Sequence, residues 1–257
     1  MKFRFGRLVR SQFLRLALLA VMSPAGVVGA AGTTNLLSNA EIDGRNLASN
    51  LCLAEPDQNL KLAGFAQIHR GRSYKQLSLT SEITLLPDGW QAAYTAKLDS
   101  GEVQRLIVTH GTNSPNRYWF GSAVIASNDI PGVHEISAAT AETNSFAQSD
   151  FTLTDLGLEF FHWPGQKILK HEMRRSRACK VLESIHPDPA GAGYSRVVSW
   201  VDNETLGIVE ALAYDANGRL LKDFSPKSFK KVNGNYRIES MLMENVQTDS
   251  RTRLEFD

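Results

Sequence analysis

The 257-residue chain has little of what announces most chemistries. It has two cysteines, Cys52 and Cys179, and two thiolates make no structural zinc site without histidines at ligand spacing. None of its six histidines forms such a pair. His171-Glu172 opens like the zinc-protease run HExxH, but Arg175 stands where the second histidine belongs. There is no GxSxG nucleophile elbow, no P-loop and no dinucleotide fingerprint. Gly191-Ala192-Gly193 follows Pro187 and Pro189, is too short to cradle a phosphate and reads as a turn. Asn203-Glu204-Thr205 matches a glycosylation sequon and also reads as a turn. No Pro/Ser/Gly-rich linker or internal repeat divides the chain. These absences point away from an enzyme, a metal and a cofactor.

Long apolar runs are missing too. The longest early one, Leu16 to Met22, is too short to cross about 30 Å of hydrocarbon. It follows Lys2, Arg4, Arg7, Arg10 and Arg15 with no acid among them, and Val28-Gly29-Ala30 supplies small residues for a peptidase. Residues 1–30 therefore read as a cleavable signal peptide, and residues 31–257 as one exported periplasmic domain. No cysteine follows the apolar core, which excludes a lipoprotein signal. Cleavage removes five of the 28 basic residues and none of the 27 acids, leaving four more acids than bases. A chain without basic excess is a poor partner for nucleic acid. The one basic run, Lys167, Lys170, Arg174, Arg175, Arg177 and Lys180, reads as a solvated strand face, with a site for an anionic headgroup or partner as the alternative. In an oxidising compartment an even pair of cysteines suggests a Cys52–Cys179 disulfide. It would close a loop worth roughly 4–5 kcal/mol in the chain-entropy model.

What is present is period-2 alternation. Leu36 to Leu53 reads as an N-terminal helix, with Leu37, Ile42, Leu47 and Leu51 along one side and Asn35 or Ser38 as cap. Strands follow: Leu62 to Arg70; Leu77 to Leu85; Trp90, Ala92, Tyr94, Ala96 and Leu98 alternating with polar neighbours; Val103 to His110; and Tyr118 to Ile125. In the last of these, Trp119 and Phe120 take opposite faces. Ser127 to Gln148 is Ala/Ser/Thr/Asn-rich and reads as a long connection with a loosely packed helical piece. Ser149-Asp150 then caps an expected amphipathic helix carrying Phe151, Leu153, Leu156, Leu158, Phe160 and Phe161, ended by Pro164. Strands resume at Gln166 to Arg174 and Ala178 to Ile185. From Tyr194 to Phe256 a meander runs through Asn217-Gly218 and Asn233-Gly234, the pair that best tolerates a type I′ turn. The sum is a mainly β (α+β) fold of about ten or eleven antiparallel strands with two helical interruptions. That many twisted strands curl into a concave face, which the helices are placed to cover.

Ser149-Asp150-Phe151 with Asp155-Leu156, Cys179-Lys180-Val181-Leu182-Glu183, Tyr194 to Asp202, Tyr214-Asp215-Ala216-Asn217-Gly218 with Leu221-Lys222, and Met241-Leu242-Met243 before Thr252 form an ordered set. Across about residues 149–256 the chain resembles the outer-membrane lipoprotein-sorting proteins, the LolA-like lipoprotein carrier group. The resemblance implies a half-open antiparallel β-barrel with a helical lid over an apolar cavity. It also implies lipid or lipoprotein acyl chains as ligand, an inner-membrane transporter and an outer-membrane acceptor as partners, and no cofactor. Candidate cavity residues are Trp90, Tyr94, Leu98, Trp119 or Phe120, Trp200, Met241, Leu242 and Met243, with Phe151, Leu156, Phe160 and Phe161 on the lid. The plain alternative for each is ordinary core. Two other functions stay open: an accessory binding subunit of an envelope export system, and a secreted hydrolase whose groups meet only in the fold.

Overall fold

A computed structural model describes residues 37–112, 114–124, 130–188, 193–232 and 235–257. The expected signal peptide, Asn35 and the Asn233-Gly234 turn lie outside the described residues.

Alternation along the described residues gives one open antiparallel sheet of thirteen strands. Its first half is a meander of β1 (Leu60–Arg70), β2 (Ser73–Leu86), β3 (Gly89–Lys97), β4 (Glu102–Gly111), β5 (Ser114–Val124) and β6 (His134–Ile136). A second meander contains β7 (Gly165–Arg174), β8 (Arg177–Ile185), β9 (Arg196–Asp202), β10 (Ile208–Tyr214), β11 (Leu220–Val232), β12 (Asn235–Asn245) and β13 (Ser250–Phe256). The halves join where β1 pairs β13, with Ala66 opposite Leu254 and Ile68 opposite Thr252. This seam puts β6 at one edge of the sheet and β7 at the other.

The count exceeds the expected ten or eleven, and the strand that sequence reading missed is β6, which forms inside the stretch read as irregular. The Asn217-Gly218 turn is not type I′. Only Gly218 has positive φ, at 73°, and it closes a type I turn as a bulge, with Gly218 N–H donating to the Asp215 carbonyl. Gly101 (φ 83°) repeats the device between β3 and β4, donating to the Leu98 carbonyl.

Among the described residues two α-helices accompany the sheet. α1 (Asn39–Cys52) starts at Ser38, whose side chain accepts from Glu41 N–H while the Glu41 carboxylate accepts from Ser38 N–H, a reciprocal capping box. Leu47 and Ala48 are buried beneath it, against Phe160, Phe161, Trp163, Ile168 and Leu182. Gly44 permits the close approach to β7: a Cβ there would sit 2.5 Å from Lys167 N. α2 (Ala138–Thr143) is short, and the expected loose packing around it is not found, since Ala141, Phe146 and Ala147 are fully buried.

The inner face of the sheet carries two apolar clusters. One gathers Ala66, Ile68, Leu79, Ala96, Leu106, Val108, Tyr118 and Leu254 from β1–β5 and β13. The other gathers Leu182, Val197, Val201, Ala211 and Ala213 from β8–β10 under α1. A third cluster, Cys179, Val181, Val198 and Trp200, lies on the outer face. Four residues of the basic run are paired there: Arg174 and Arg175 reach Glu210, Arg177 reaches Asp202 and Glu204, and Lys170 reaches Glu172.

This division of faces corrects the expected disulfide. Cys52 packs with the α1 cluster on the inner face and Cys179 with the outer one, so the sheet separates two free thiols. Burial, with Glu159 adding repulsion, pushes the Cys52 thiol up to about 11. The measurement that checks this is intact-mass analysis before and after reduction under denaturing conditions. Two alkylatable thiols and no gain of two hydrogens on reduction are expected; a bridge would give neither.

Candidate functional site

Because β6 and β7 are opposite edges, the segment between them has to travel the width of the sheet. Thirteen flat strands at about 4.8 Å spacing would hold those edges roughly 55–60 Å apart. The connecting chain instead folds into compact turns on the inner face, and the sheet curls around it. The helix expected over Phe151 to Phe161 does not form. Residues 153–158 are turns, Leu158 is left-handed at φ 51°, and only Glu159–His162 makes a 3-10 turn. We call residues 149–163 the strap.

Three carboxylates on the strap explain why it is not helical. The Asp150 side chain caps no helix; it accepts from Ser250 Oγ at 2.5 Å and Thr252 Oγ1 at 2.7 Å on β13. Asp155 accepts from Tyr194 Oη at 2.8 Å and Thr152 N–H at 2.7 Å, and pairs with Lys222 Nζ at 3.1 Å. Glu159 accepts from Tyr118 Oη at 2.7 Å and Asn116 Nδ2 at 2.9 Å on β5. All three are buried, and buried carboxylates are tolerated when paired or multiply hydrogen-bonded. The strap's exit is fixed by Gln166, which donates to the Phe160 and Trp163 carbonyls at 2.9 and 2.8 Å and accepts from Ser184 Oγ.

Between strap, α1 and sheet lies a cavity of about 390 Å³. Trp90 and His110 come from β3 and β4, Val197 and Ala211 from β9 and β10, Met241 and Met243 from β12, and Leu51 and Cys52 from the end of α1. β4 and β9 stand eight places apart in the strand order, so their meeting around one space measures the curl.

Of the candidate residues, the structure brings Trp90, Tyr94, Phe151, Leu156, Phe160, Phe161, Met241 and Met243 to this cavity. Leu98 and Phe120 share the inner face but belong to the packed cluster of the first half. Trp119, Trp200 and Leu242 point to the other side, as strand alternation dictates. Trp119 lies under the Arg117 guanidinium at 4.8 Å, and Trp200 under Arg174 at 4.8 Å with its indole N–H donating to Glu172. Leu242 sits among Gln67, His69, Glu244, Arg251 and Arg253.

The polar lining went unforeseen. Asp155, Lys222, Tyr194, His110 and His162 all border the cavity. A readable signal existed: Lys222 alternates with Phe224 along its strand, and Asp155 interrupts an apolar run. Burial raises the Tyr194 hydroxyl well above its usual range, reinforced by Asp155, and pushes Tyr94 up to about 12. Burial, then the neighbouring His162, brings His110 down to about 4, so its ring is neutral at ordinary pH. Among the described residues no group of three His, Cys, Asp or Glu is arranged to hold a metal ion, and no helix is long and apolar enough to cross a membrane.

Comparison with known proteins fixes the fold. A family described as "Uncharacterized protein" matches residues 129–257. No curated protein matches the chain. A DUF1329 family protein from Desulfovibrio piger is similar at TM-score 0.66 and 19% identity, covering 86% of this chain and 92% of that one. A putative outer membrane lipoprotein-sorting protein domain from Vibrio parahaemolyticus gives 0.66 and 20%, covering 84% and 91%. A LolA superfamily protein from Nitrosomonas europaea gives 0.57 and 14%, covering 86% and 92%. The resemblance read from residues 149–256 thus holds for the fold: mainly β, one open antiparallel sheet of the LolA type.

Two predictions follow from the strap's anchors. Lys222→Met leaves Asp155 buried without its cation and should cost about 3–5 kcal/mol in urea denaturation. Adding Asp155→Asn, which keeps an acceptor for Tyr194 and Thr152, should restore most of the loss. Glu159 behaves differently, because burial raises its carboxyl above 4.5 despite the Tyr118 and Asn116 bonds. The folded chain then holds that proton more tightly than the unfolded chain. Glu159's contribution is therefore full below 4.5 and falls as pH rises through the raised folded value. Melting temperatures of wild type and Glu159→Gln, measured from about pH 4 to about pH 8, should diverge in the variant's favour as pH rises. A constant difference would contradict the assignment.

Proposed function

We propose that this chain, which belongs to the family of uncharacterized proteins matched over residues 129–257, is a non-enzymatic carrier of acyl chains. It takes up lipids or lipoproteins in the cavity beneath the strap and α1 and moves them through the periplasm towards the outer membrane. In this reading residues 1–30 direct export and are removed, an inner-membrane transporter supplies the cargo and an outer-membrane acceptor receives it. Strap and α1 together take the place of the expected helical lid. The observation that carries the reading is the cavity itself. Its volume of about 390 Å³ falls within the roughly 300–1,000 Å³ of ligand sites. Its walls are Trp90, Tyr94, Phe151, Phe160, Met241 and Met243, and its charged pair, Asp155 with Lys222, is satisfied internally. An apolar space with its charges paired off suits a hydrocarbon chain. The two methionines suit chains of varied shape, because a flexible thioether side chain repacks at little cost. Two of the solved structures with this fold carry lipoprotein-sorting or LolA names, which supports extending such a role to this chain.

Native mass spectrometry of the protein purified from the periplasm, followed by lipid extraction, tests the reading. Phospholipid or lipoprotein acyl chains should co-purify. Met241→Asp, at a half-buried lining position, should lower the lipid-bound fraction by roughly tenfold with the melting transition retained. A clean ligand-free mass with no uptake of added lipid would sink the carrier and leave a protein-binding subunit in front.

A further inference from the structure

Three lining residues of the cavity are also open to solvent: Leu158 on the strap, Leu206 between β9 and β10, and Ile238 on β12 are 37, 40 and 39% exposed. A side chain that both borders a cavity and meets solvent marks its mouth. Phe229, the cross-strand partner of Ile238, is 55% exposed and widens this apolar rim. Scattered exposed apolar residues need no explanation, but several gathered around one opening signal a surface that something covers.

Among the described residues, pairing of β11 with β10 stops at Phe224, and pairing of β12 with β13 begins at Ser240. Residues 225–232 and 235–239 therefore continue as a two-stranded ribbon, paired with each other. Two strands alone are marginal in water, the more so when they expose apolar side chains. The ribbon's charge indicates what covers it. Residues 225–239 hold Lys227, Lys230, Lys231 and Arg237 against one acid, Glu239, although acids outnumber bases over residues 31–257 as a whole. Arg237 is taken by Asp57 at 3.2 Å, whereas Lys227 and Lys231 are exposed on either side of Phe229. Glu204, close to Leu206 in the chain, is held by Arg177. The mouth thus combines an apolar rim with a local excess of positive charge.

Resting on the carrier reading above, we propose that the mouth and the β11–β12 ribbon seat on the surface of an anionic phospholipid bilayer. A bilayer meets three features at once. Its headgroup phosphates take the lysines, its acyl boundary takes Phe229 and Ile238, and the opening between them meets the chains that the cavity is shaped to hold. An acidic protein surface would answer the first two alone.

The test sediments the delipidated protein, purified from the periplasm, with vesicles of phosphatidylcholine alone or of equal parts phosphatidylcholine and phosphatidylglycerol. Wild type should partition onto the mixed vesicles about tenfold or more strongly than onto phosphatidylcholine, and raised salt should weaken the binding. Lys227→Gln with Lys230→Gln should lower it by about tenfold, since a lysine near an anionic surface is worth about fivefold. Phe229→Ser, at an exposed position outside the cavity lining, should lower it by a similar factor, about tenfold. Melting curves that overlay wild type show that neither loss comes from unfolding. No sedimentation with either vesicle, or binding that survives in both variants, overturns the proposal; the first result leaves an acidic protein as the occupant of the mouth. Failure of the carrier reading shows separately, as a ligand-free mass with no uptake of added lipid, whatever the vesicles do.

Discussion

The structure depends on one topological constraint: the chain leaves the sheet at one edge and re-enters it at the other. β6 and β7 are the two ends of a thirteen-strand order, and the residues joining them have to cross the inner face. That crossing turns a wide, flat sheet into a curled one with an interior. It also places backbone and acidic side chains where only apolar side chains would otherwise be. The three carboxylates, Asp150, Asp155 and Glu159, answer that problem separately. Each is satisfied by a different part of the sheet: β13, then Tyr194 with β11, then β5. Strands distant in the sheet are thus tied to one short stretch of chain, which keeps the sheet from flattening and from closing fully.

Much of the sheet was legible because a period of two is hard to disguise. The run Trp90, Ala92, Tyr94, Ala96, Leu98 faces inward as alternation requires, and the same rule separates Trp119 from Phe120 and Leu242 from Met241 and Met243. Face assignment across separate strands was not legible. It depends on register, and a one-residue shift reverses every side chain. Trp200 shows this: its aromatic character suggested the cavity, yet its strand presents it to Arg174 on the outer face.

The strap was misread for a different reason. Its apolar residues, at 151, 153, 156, 158, 160 and 161, fit a helix loosely, and Ser149-Asp150 looks like a cap. Local rules favoured the helix; long-range bonds overrode them. Asp150 finds Thr252 and Asp155 finds Lys222, partners about a hundred and about seventy residues away, and no local pattern announces such pairs. The cysteines fail similarly: an even count and an oxidising compartment are compositional facts, whereas bridging requires the same side of the sheet.

The proposed carrier has to bind well and still let go, and the boundaries of the cavity differ in how they allow this. A sixteen-carbon chain gains on the order of 10 kcal/mol gross at about 0.8 kcal/mol per buried CH₂, and opening a wall must offset part of that. Parting the strap from the sheet would expose or strand buried carboxylates, at about 3–5 kcal/mol for a buried ion pair alone. Parting α1 asks much less. Its buried contacts are Leu47, Ala48 and Gly44, and a large apolar side chain contributes about 1.5–3 kcal/mol when fully buried. Leu51 and Cys52, at the end of that helix, already line the cavity. The strap is therefore the fixed wall that gives the cavity its shape, and α1 is the wall whose displacement costs least. A carrier built this way keeps its sheet curled while its cargo enters and leaves.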